Sequence, residues 1–265
     1  MVGFDLDQTI IYSKRTNFPD KTPITCVEIY EDAPLSYMTQ KAWDTLGVLM
    51  EKTEVFPITT RTEAQYKRVT LPQQPRYAIC GNGGILLEDG VRNKEWEIWV
   101  NGILEQNVPV KQILDFTINE FDVEWTKKVS APEDLFVCIV GKEGTIPNQK
   151  WVEQYTQGMN EHGWTVSAQG RKVYAVPGGL TKGAAVSKLK NMLKETSPEP
   201  ERFSVYTAGD SLLDASMLEV ADEAIHPAHG ELHKHKWSSS QTRTTTNKGV
   251  LAGEEIIDWM LNQVS

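Results

Sequence analysis

The sequence is poor in cysteine and has no long hydrophobic run. Its 265 residues include three cysteines, Cys26, Cys80 and Cys138, which are widely spaced and set mostly among apolar residues. We interpret them as reduced core thiols rather than as disulfides or a zinc site. No apolar stretch approaches the roughly 20 residues that span a bilayer, and no basic region followed by an apolar one begins the chain. We therefore expect a soluble, cytoplasmic protein.

The sequence also has fewer positively charged than negatively charged residues. Lysine and arginine together number 27 against 36 acidic residues, which gives a net charge of -9. This balance argues against general affinity for nucleic acid or an anionic membrane, although a local basic pocket is compatible with it. With 40% hydrophobic residues, the chain can bury one sizeable core, or one core and a smaller second domain. The oligomeric state is not indicated.

Strands and helices alternate in the first and last parts of the chain. Short apolar runs are separated by segments with apolar residues at helical spacing, such as Ala42, Leu46 and Leu49. Strand, helix, strand is the unit of a parallel sheet, so the pattern predicts an α/β fold. We interpret 196–201 as a surface connection and 238–248 as a polar loop. The predicted strands are 1–6, 24–30, 54–58, 77–80 and 203–208, and the predicted helices are 39–51, 59–69, 181–194 and 251–261.

The order of predicted strands and helices changes in the middle of the chain, between about 90 and 176. Strands and helices there do not alternate as βαβ units, which resume only afterwards, so this region is predicted to be an inserted α+β domain. The predicted strands lie near 95–100, 135–140 and 165–175, and the predicted helices at 110–121 and 149–162.

Asp5 and Asp7 end the first apolar run, two residues apart. A strand that ends in Asp-x-Asp places its charges at the carboxyl edge of a sheet, where open α/β folds carry out their chemistry. One carboxylate can attack as a nucleophile while the other transfers a proton, and together they can bind a hard divalent cation. The alternative is an acidic turn.

Thr59 closes the third predicted strand with a hydroxyl group, which is a suitable donor to a phosphoryl oxygen. The alternative is helix capping, because Thr60 and Glu63 have the spacing of a capping box and Thr62 and Gln65 could form another.

Lys182, Asp210 and Asp214 are the remaining candidates. A cation at the start of a helix, as Lys182 is, opposes the helix dipole and needs another reason to be there; the alternative is a solvated lysine. Asp210 ends an apolar run in Gly-Asp, and Asp214 would lie one helical turn beyond it. Asp210 could cap a helix, but a second acid one turn later favours a cation between the strand ends.

These residues form a recognisable ordered set. Asp-x-Asp-x-Thr at 5–9, the strand-terminal Thr59, Lys182 and Gly-Asp-x-x-x-Asp at 209–214 resemble the four motifs of haloacid dehalogenase superfamily phosphatases. The interval 60–181 looks like the type C2 cap of that superfamily. The resemblance implies a doubly wound, mostly parallel Rossmann-like core sheet, formed by 1–88 and 177–265, with an inserted α+β cap domain at 89–176.

Two segments narrow the resemblance. Residues 167–183 are similar to the sucrose-phosphatase and mannosyl-3-phosphoglycerate-phosphatase group, and 209–218 match the wider Cof-type phosphatases. The sequence departs from the pattern at Gln8, which replaces the usual Gly of the first motif, and at Thr60, where many Cof-type members have Gly. The second departure would reshape the substrate pocket.

The resemblance also implies a mechanism. Asp5 would attack phosphorus and form an aspartyl-phosphate, while Asp7 would protonate the leaving alcohol and then activate water. Lys182 and Thr59 would contact the phosphate on one side. Such a split of one displacement into two easier steps is the general advantage of covalent catalysis.

A magnesium ion is implied on the other side of the phosphate. It would be held by Asp5, Asp210 and the main-chain carbonyl of Asp7, because phosphoryl transfer depends mainly on positioning and charge neutralisation. Asp214 would bind a metal-bound water or orient Lys182.

Substrate contacts are expected from five other residues: Thr60, Arg61, Asn82, Arg171 and Lys172. For most of them a turn residue or a solvated surface charge is an equally good interpretation.

Two further clusters are given structural interpretations. The histidines at 226, 229, 233 and 235 could suggest a transition-metal site, but Pro227 and Gly230 interrupt the helix that would align them, so a surface loop is favoured. The five tryptophans of the insert are interpreted as its small core rather than as a sugar-stacking platform. They are Trp96, Trp99, Trp125, Trp151 and Trp164.

The sequence thus predicts a Mg²⁺-dependent phosphatase whose partner is a small phosphorylated molecule such as a sugar phosphate, with no nucleic-acid or membrane partner. Two alternatives are a phosphomutase of the phosphomannomutase type and a catalytically weak binding or regulatory protein with the same fold.

Overall fold

A computed structural model describes residues 1–14, 16, 18–197, 199 and 203–264 of the chain. The chain folds as two units: unit 1 comprises Met1–Arg92 and Lys182–Ser265, and unit 2 comprises Asn93–Thr181. Within the described ranges, no helix is both long enough and apolar enough to cross a bilayer.

The secondary-structure elements are numbered in chain order. The strands are β1 (Val2–Phe4), β2 (Tyr12–Ser13), β3 (Ile24–Tyr30), β4 (Ala33–Thr39), β5 (Val55–Pro57), β6 (Tyr77–Cys80), β7 (Ile85–Glu88), β8 (Val91–Arg92), β9 (Thr126–Ser130), β10 (Val137–Gly141), β11 (Trp164–Gln169), β12 (Lys172–Pro177), β13 (Tyr206–Ala208), β14 (Glu223–His226) and β15 (Thr242–Thr244). The helices are α1 (Gln40–Lys52), α2 (Glu63–Tyr66), α3 (Lys94–Leu104), α4 (Val110–Glu120), α5 (Gln149–Glu161), α6 (Lys182–Thr196), α7 (Ala215–Glu219), α8 (Glu231–Lys234) and α9 (Val250–Gln263), with short 3₁₀ turns at Gly81–Gly83 and Pro132–Asp134.

The central sheet of unit 1 has the strand order β15-β14-β13-β1-β5, and its described strands all pair in parallel. Val2 and Phe4 of β1 are fully buried, as expected for a strand that is covered on both faces. Phe4 pairs with Pro57 of β5 on one side and with Ala208 of β13 on the other. The predicted α/β class with a parallel core sheet is confirmed.

Helices α1 and α9 pack against each other beside this sheet. The side chain of Thr39 accepts a hydrogen bond from the Ala42 amide and so caps α1. Ala42, Leu46 and Leu49 are buried in one core with Ile256 of α9. The predicted helices 39–51 and 251–261 are therefore confirmed within one or two residues.

The hairpin β3–β4 follows the first strand of unit 1. Its first strand was predicted at the same residues, 24–30, but β4 was not predicted. Cys26 of β3 is exposed. The core assignment of Cys26 was therefore wrong, whereas Cys80 and Cys138 are buried, and none of the three forms a disulfide.

Unit 2 contains an antiparallel sheet with the order β11-β12-β10-β9 and three helices, α3 to α5. Its core includes Tyr155, Met159 and Trp164, and the half-buried Trp151 stacks on Tyr155 with ring centroids 4.9 Å apart. Trp96 is also fully buried. These positions support the interpretation of the tryptophans as core residues.

The strand predicted at 95–100 is wrong, because these residues belong to α3. Asn93 caps that helix by accepting a hydrogen bond from the Trp96 amide. Trp96 and Val100, four residues apart, form its buried side, and this helical spacing prevails over the strand preference of the aromatic residues. The region 165–175 is a hairpin of two strands rather than one strand.

Two predicted loops also differ from the structure. The segment 238–248 contains β15, whose residues pair with β14 at the edge of the central sheet. Helix α6 reaches Thr196, at the start of the predicted surface connection; Pro198, Pro200 and Glu201 lie outside the described residues.

Candidate active site

A polar residue follows each of three adjacent strands of the central sheet. Asp5 comes directly after β1, and its amide donates to the Ala208 carbonyl, 2.9 Å away. Thr59 lies two residues beyond the end of β5, and Asp210 lies two residues beyond the end of β13. Because β1 is between β5 and β13 and all three are parallel, their carboxyl ends meet at one edge of the sheet.

Lys182 is a buried cation at this edge. Its Nζ lies 2.6 Å from Asp5 Oδ1 and 2.5 Å from Asp214 Oδ1, and only 1% of the side chain is exposed. Burial by itself would lower the pKa of Lys182, but the charges and hydrogen bonds of Asp214 and Asp5 outweigh it and raise the pKa. The alternative of a solvated lysine is therefore wrong.

Asp214 is held by the loop that precedes α7. Its Oδ2 accepts hydrogen bonds from the Asp210 amide at 3.0 Å, the Ser211 amide at 2.8 Å and the Ser211 hydroxyl at 2.8 Å. A Cβ at Gly209 would lie 2.4 Å from the Cβ of Asp214, so glycine is required for this close approach. These contacts turn Oδ1 of Asp214 toward Lys182.

Asp5, Asp210 and Asp214 form a carboxylate cluster in which one oxygen of each lies within 4.8 Å of the others. Burial raises the pKa of Asp5 to about 7, although Lys182 opposes the shift. Burial, followed by the charges of Asp214 and Asp5, also raises the pKa of Asp210 well above its ordinary value. The ionised cluster thus has more negative charge than Lys182 balances, and an oxygen-only donor set suits a hard divalent cation.

Thr59 and Asn82 lie on linked turns next to Asp5. Thr59 is buried, and its Oγ1 accepts a hydrogen bond from the Arg61 amide at 3.2 Å. The Asn82 amide donates to the Thr59 carbonyl at 2.9 Å. Asn82 has φ 58°, a left-handed conformation that asparagine tolerates better than most residues. Both predicted site residues are therefore fixed by the backbone of neighbouring strand ends.

The capping box predicted for Thr60 and Glu63 is wrong. The N-cap of α2 is Thr62, which accepts from the Gln65 amide, while the Gln65 side chain accepts from the Thr62 amide. The side chain of Glu63 instead pairs with Lys67 at 2.6 Å. Helix α2 is also much shorter than the predicted 59–69, and Thr60 precedes it as a half-buried residue.

Arg61 joins two acidic residues. Its Nε lies 2.7 Å from Asp7 Oδ2 and its Nη2 lies 2.8 Å from Asp7 Oδ1, while Nη1 lies 2.9 Å from Glu28 Oε1. Burial would lower the pKa of Arg61, but hydrogen bonds and charge from Asp7, together with Glu28, raise it. Sequence reasoning missed Glu28; the available signal was an acid inside the apolar strand 24–30.

The other two residues predicted to bind substrate belong to unit 2. Arg171 lies in the turn between β11 and β12, and Lys172 is the first residue of β12. Both are exposed. Their role in binding stays a prediction.

Two histidines of the 226–235 segment, His226 and His229, make hydrogen bonds to the protein, and none of the four belongs to a metal-binding group of three side chains among the described residues. His229 Nδ1 accepts from the Gly249 amide at 3.0 Å, so its Nε2 is the donor to the Gln8 carbonyl, 3.1 Å away. His226 is buried in β14 rather than lying in a loop, and its Nε2 is 3.0 Å from Thr244 Oγ1. These contacts support a structural role.

Solved structures of similar fold include phosphatases of sugar phosphates. Sucrose-phosphatase from Synechocystis, determined with sucrose and phosphate, matches with a TM-score of 0.67 and 18% identity over 98% of this chain and 96% of that one. A haloacid dehalogenase-like hydrolase from B. subtilis matches with a TM-score of 0.57 and 12% identity over 100% and 99% of the two chains. The C-terminal domain of trehalose-6-phosphate phosphatase from C. albicans matches with a TM-score of 0.56 and 11% identity over 98% and 91%.

These likenesses establish the fold. No protein-family model matches the chain, and no curated protein sequence matches it significantly. The chain has the haloacid dehalogenase-like fold, as the resemblance of its motifs implied.

Proposed function

We propose that this protein is a Mg²⁺-dependent phosphatase that hydrolyses a phosphomonoester of a sugar or a similar small polar metabolite. The observation that carries the proposal is the buried Lys182, whose Nζ bridges Asp5 and Asp214 at the carboxyl edge of the parallel sheet. The fold supports it, since structures that share this fold include sucrose-phosphatase and trehalose-6-phosphate phosphatase.

Asp5 is the proposed nucleophile. A carboxylate oxygen of Asp5 attacks phosphorus, and the bond from phosphorus to the ester oxygen breaks, which leaves an aspartyl-phosphate. Asp7 donates a proton to the departing ester oxygen. Asp7 then takes a proton from water as the water oxygen attacks phosphorus, and the bond between phosphorus and Asp5 breaks to release phosphate.

Lys182 and Thr59 are proposed to bind the phosphoryl oxygens. Lys182 provides fixed positive charge at a buried position, where charge stabilisation is more effective than in water. Its contact with Asp214 holds the ammonium in place. The Thr59 hydroxyl already accepts from the Arg61 amide, so its own proton can be donated to a phosphoryl oxygen.

Asp5, Asp210 and the Asp7 main-chain carbonyl are the proposed Mg²⁺ ligands, with Asp214 close to them. The fit rests on the oxygen-only donor set and on three carboxylates that share one buried cation, Lys182. Burial, together with the charges of the neighbouring acids, raises the pKa values of Asp5 and Asp210. When bound, the ion would neutralise negative charge on the phosphoryl group.

Unit 2 is proposed to be the cap domain that selects the substrate. The cap predicted at 89–176 covers most of unit 2, which is Asn93–Thr181. We assign Arg171 and Lys172 to substrate recognition, because both are exposed cations on one hairpin. Thr60 and Asn82 are assigned to recognition from unit 1. Phosphorylated small molecules carry negative charge and hydroxyl groups, which such side chains bind well.

Asp5→Asn tests the proposal directly. The variant should lose at least about 10³-fold of the Mg²⁺-dependent phosphate release from para-nitrophenyl phosphate, because the amide cannot act as the nucleophile. Asp258→Asn is a matched control, since Asp258 pairs with Lys41 at an exposed position and its replacement should change activity little. Circular dichroism would verify that both variants fold.

Two results would contradict the proposal. One is an unaltered rate in Asp5→Asn; the other is a wild-type protein without Mg²⁺-dependent turnover on a broad panel of phosphomonoesters. Isomerisation of a sugar phosphate, activated by a sugar bisphosphate and without free phosphate, would instead support the phosphomutase alternative.

A further inference from the structure

Glu28 is a fully buried carboxylate that belongs to none of the four motifs. Its side chain has 0% exposure and lies in the β3–β4 hairpin of unit 1. Oε2 accepts a hydrogen bond from the Ser36 hydroxyl at 2.6 Å. Oε1 lies 2.9 Å from Arg61 Nη1 and 3.2 Å from both Nε and Nη2 of Arg68.

Burial makes the negative charge of Glu28 energetically costly. An ionised carboxylate removed from water is destabilised by several kcal/mol unless it is paired and hydrogen-bonded. Glu28 meets both requirements through two arginines and one hydroxyl. Arg61 is consequently held on one side, because a move away from Glu28 would leave a buried charge with one partner fewer.

The other side of Arg61 faces Asp7. The guanidinium is planar, and its donors have fixed directions. Nη1 forms an ion pair with Glu28 at 2.9 Å without the geometry of a hydrogen bond. Glu28 therefore attracts this end of the guanidinium while the Nε and Nη2 donors form the two parallel hydrogen bonds to Asp7, at 2.7 and 2.8 Å. Asp7 itself is 54% exposed, so burial does little to restrict its side chain, whereas a two-point contact does.

We propose that Glu28 is a positioning residue that sets the location of the Asp7 carboxylate through Arg61. The inference rests on the proposed function in one respect, namely that Asp7 transfers the proton to the leaving group. A carboxylate that is held in place before the substrate arrives loses less conformational freedom during proton transfer, and small displacements of such groups lower rates strongly.

The kinetic test uses Glu28→Gln with two phosphate esters that differ in their need for a proton. Nitrophenolate departs readily without one, whereas phenolate is a poorer leaving group and depends more on the acid. We expect kcat/KM of Glu28→Gln to fall about tenfold or more for phenyl phosphate and about threefold or less for para-nitrophenyl phosphate. The reason is that general acid catalysis matters mainly for the poorer leaving group. An equal loss for both esters would overturn the proposal.

Arg68→Gln is the matched control. Arg68 contacts the same Glu28 oxygen as Arg61, and the network would lose one charge in both variants. The described contacts of Arg68 do not include Asp7, so the ratio of kcat/KM for the two esters should equal that of the wild type. The same change of ratio in Arg68→Gln as in Glu28→Gln would show a general effect of the buried network and overturn the proposal.

A second measurement does not depend on activity. The Nε–Hε group of Arg61 should give a slowly exchanging side-chain signal in NMR spectra of the wild type and of Arg68→Gln, and the signal should be lost or broadened in Glu28→Gln. A protein without hydrolytic activity but with this pattern would disprove the proposed function and leave the positioning role intact. An unchanged Arg61 signal in Glu28→Gln would refute the positioning role.

If Glu28→Gln does not fold, Ser36→Ala provides the milder perturbation. It removes the hydrogen bond to Glu28 Oε2 and keeps every charge of the network. We expect the ratio of kcat/KM for the two esters and the NMR signal of Arg61 to change in the same direction as in Glu28→Gln, and by a smaller amount. A folded Ser36→Ala protein with wild-type values for both would count against the proposal.

Discussion

A lysine ammonium that is 1% exposed is stable only where carboxylates compensate for the lost water. Lys182 has two such partners, Asp5 and Asp214, and its raised pKa shows that their attraction exceeds the penalty of burial. Lys182 does not balance the negative charge of all the acids, because Asp210 adds a third carboxylate to the cluster of Asp5 and Asp214. At the scale of single residues, the site therefore has a fixed cation and surplus negative charge.

This surplus predicts a pH-dependent effect of Mg²⁺ on thermal stability. The pKa of Asp5 is about 7 in the folded protein against an ordinary value of 3.8, so between these values the folded state binds a proton that the unfolded state lacks. The contribution of Asp5 to stability is thus present at low pH and declines as the pH rises to about 7. A cation competes with that proton below pH 7 and not above it. We expect Mg²⁺ to raise Tm more at pH 8 than at pH 6, as measured by scanning calorimetry.

Asp210→Asn is the control for this measurement. It removes one carboxylate of the cluster while Lys182 and its partners stay in place, so the Tm shift caused by Mg²⁺ should shrink at pH 8. A larger shift at pH 6 than at pH 8 would contradict the assignment of these acids to a cation site.

Helix packing controls the geometry of the same site at the scale of elements. Lys182 begins α6, and Asp214 immediately precedes α7. The two helices approach closely at Gly183, where an added Cβ would lie 2.3 Å from the Ser216 carbonyl oxygen. The Gly183 amide also donates to the Ser216 hydroxyl at 3.0 Å. A glycine at this point lets α6 and α7 hold the ammonium and the carboxylate together.

Gly183→Ala should destabilise the protein. Alanine is favoured over glycine inside a helix by about 1 kcal/mol, but overlap with the Ser216 backbone forces α6 and α7 apart, which costs about 1–3 kcal/mol. The overlap is with backbone rather than a flexible side chain, so we expect the cost to prevail and the denaturant midpoint to fall. Activity should fall as well, since the Lys182–Asp214 contact lengthens.

Gly102→Ala is the matched control for the helix effect. Gly102 lies in α3, and apart from its chain neighbours and the backbone of its own helix no atom lies within 4 Å of an added Cβ there. The same substitution should therefore raise the free energy of unfolding by about 0.5–1 kcal/mol, from helix preference alone. A decrease at both positions would show that close packing is not what makes Gly183 necessary.

Elements were predicted well where hydrophobic spacing is clear and badly where two patterns compete. α1, α4 and α5 were found because their buried residues recur every three or four positions, and β3 was found as an apolar run. α3 was mistaken for a strand because its sequence is rich in aromatic and β-branched residues. The side chain of Asn93 favours the helix, because it accepts a hydrogen bond from the Trp96 amide, which has no partner within the first turn of α3.

Each of the two units has its own hydrophobic core at the scale of the whole molecule. Unit 1 surrounds its parallel sheet with a core that includes α1 and α9, and unit 2 buries Tyr155, Met159 and Trp164 around an antiparallel sheet. Units with separate cores can open independently. A ligand that binds to one unit stabilises that unit first.

Hydrogen exchange followed by mass spectrometry can separate the responses of the two units. We expect Mg²⁺ to slow amide exchange in the peptides around Asp5 and in 205–216 by at least about tenfold, because binding to the folded state suppresses opening. Peptides from α4 and α5 of unit 2 should exchange at unchanged rates. Equal slowing in both units would contradict a cation site built by unit 1 alone.

The sequence alone determined the parallel sheet and the meeting of Asp5, Lys182, Asp210 and Asp214 at one edge. Residues at the ends of adjacent parallel strands must lie close together, which accounts for Asp5 and Asp210. Lys182 and Asp214 lie where helices begin, and they were assigned to the same edge through the resemblance of the ordered motifs. Only the tertiary structure decided that Arg61 joins Asp7 to the buried Glu28. No local periodicity relates residues 7, 28 and 61, and the pairing of a buried charge depends on distances through space and on the exclusion of water.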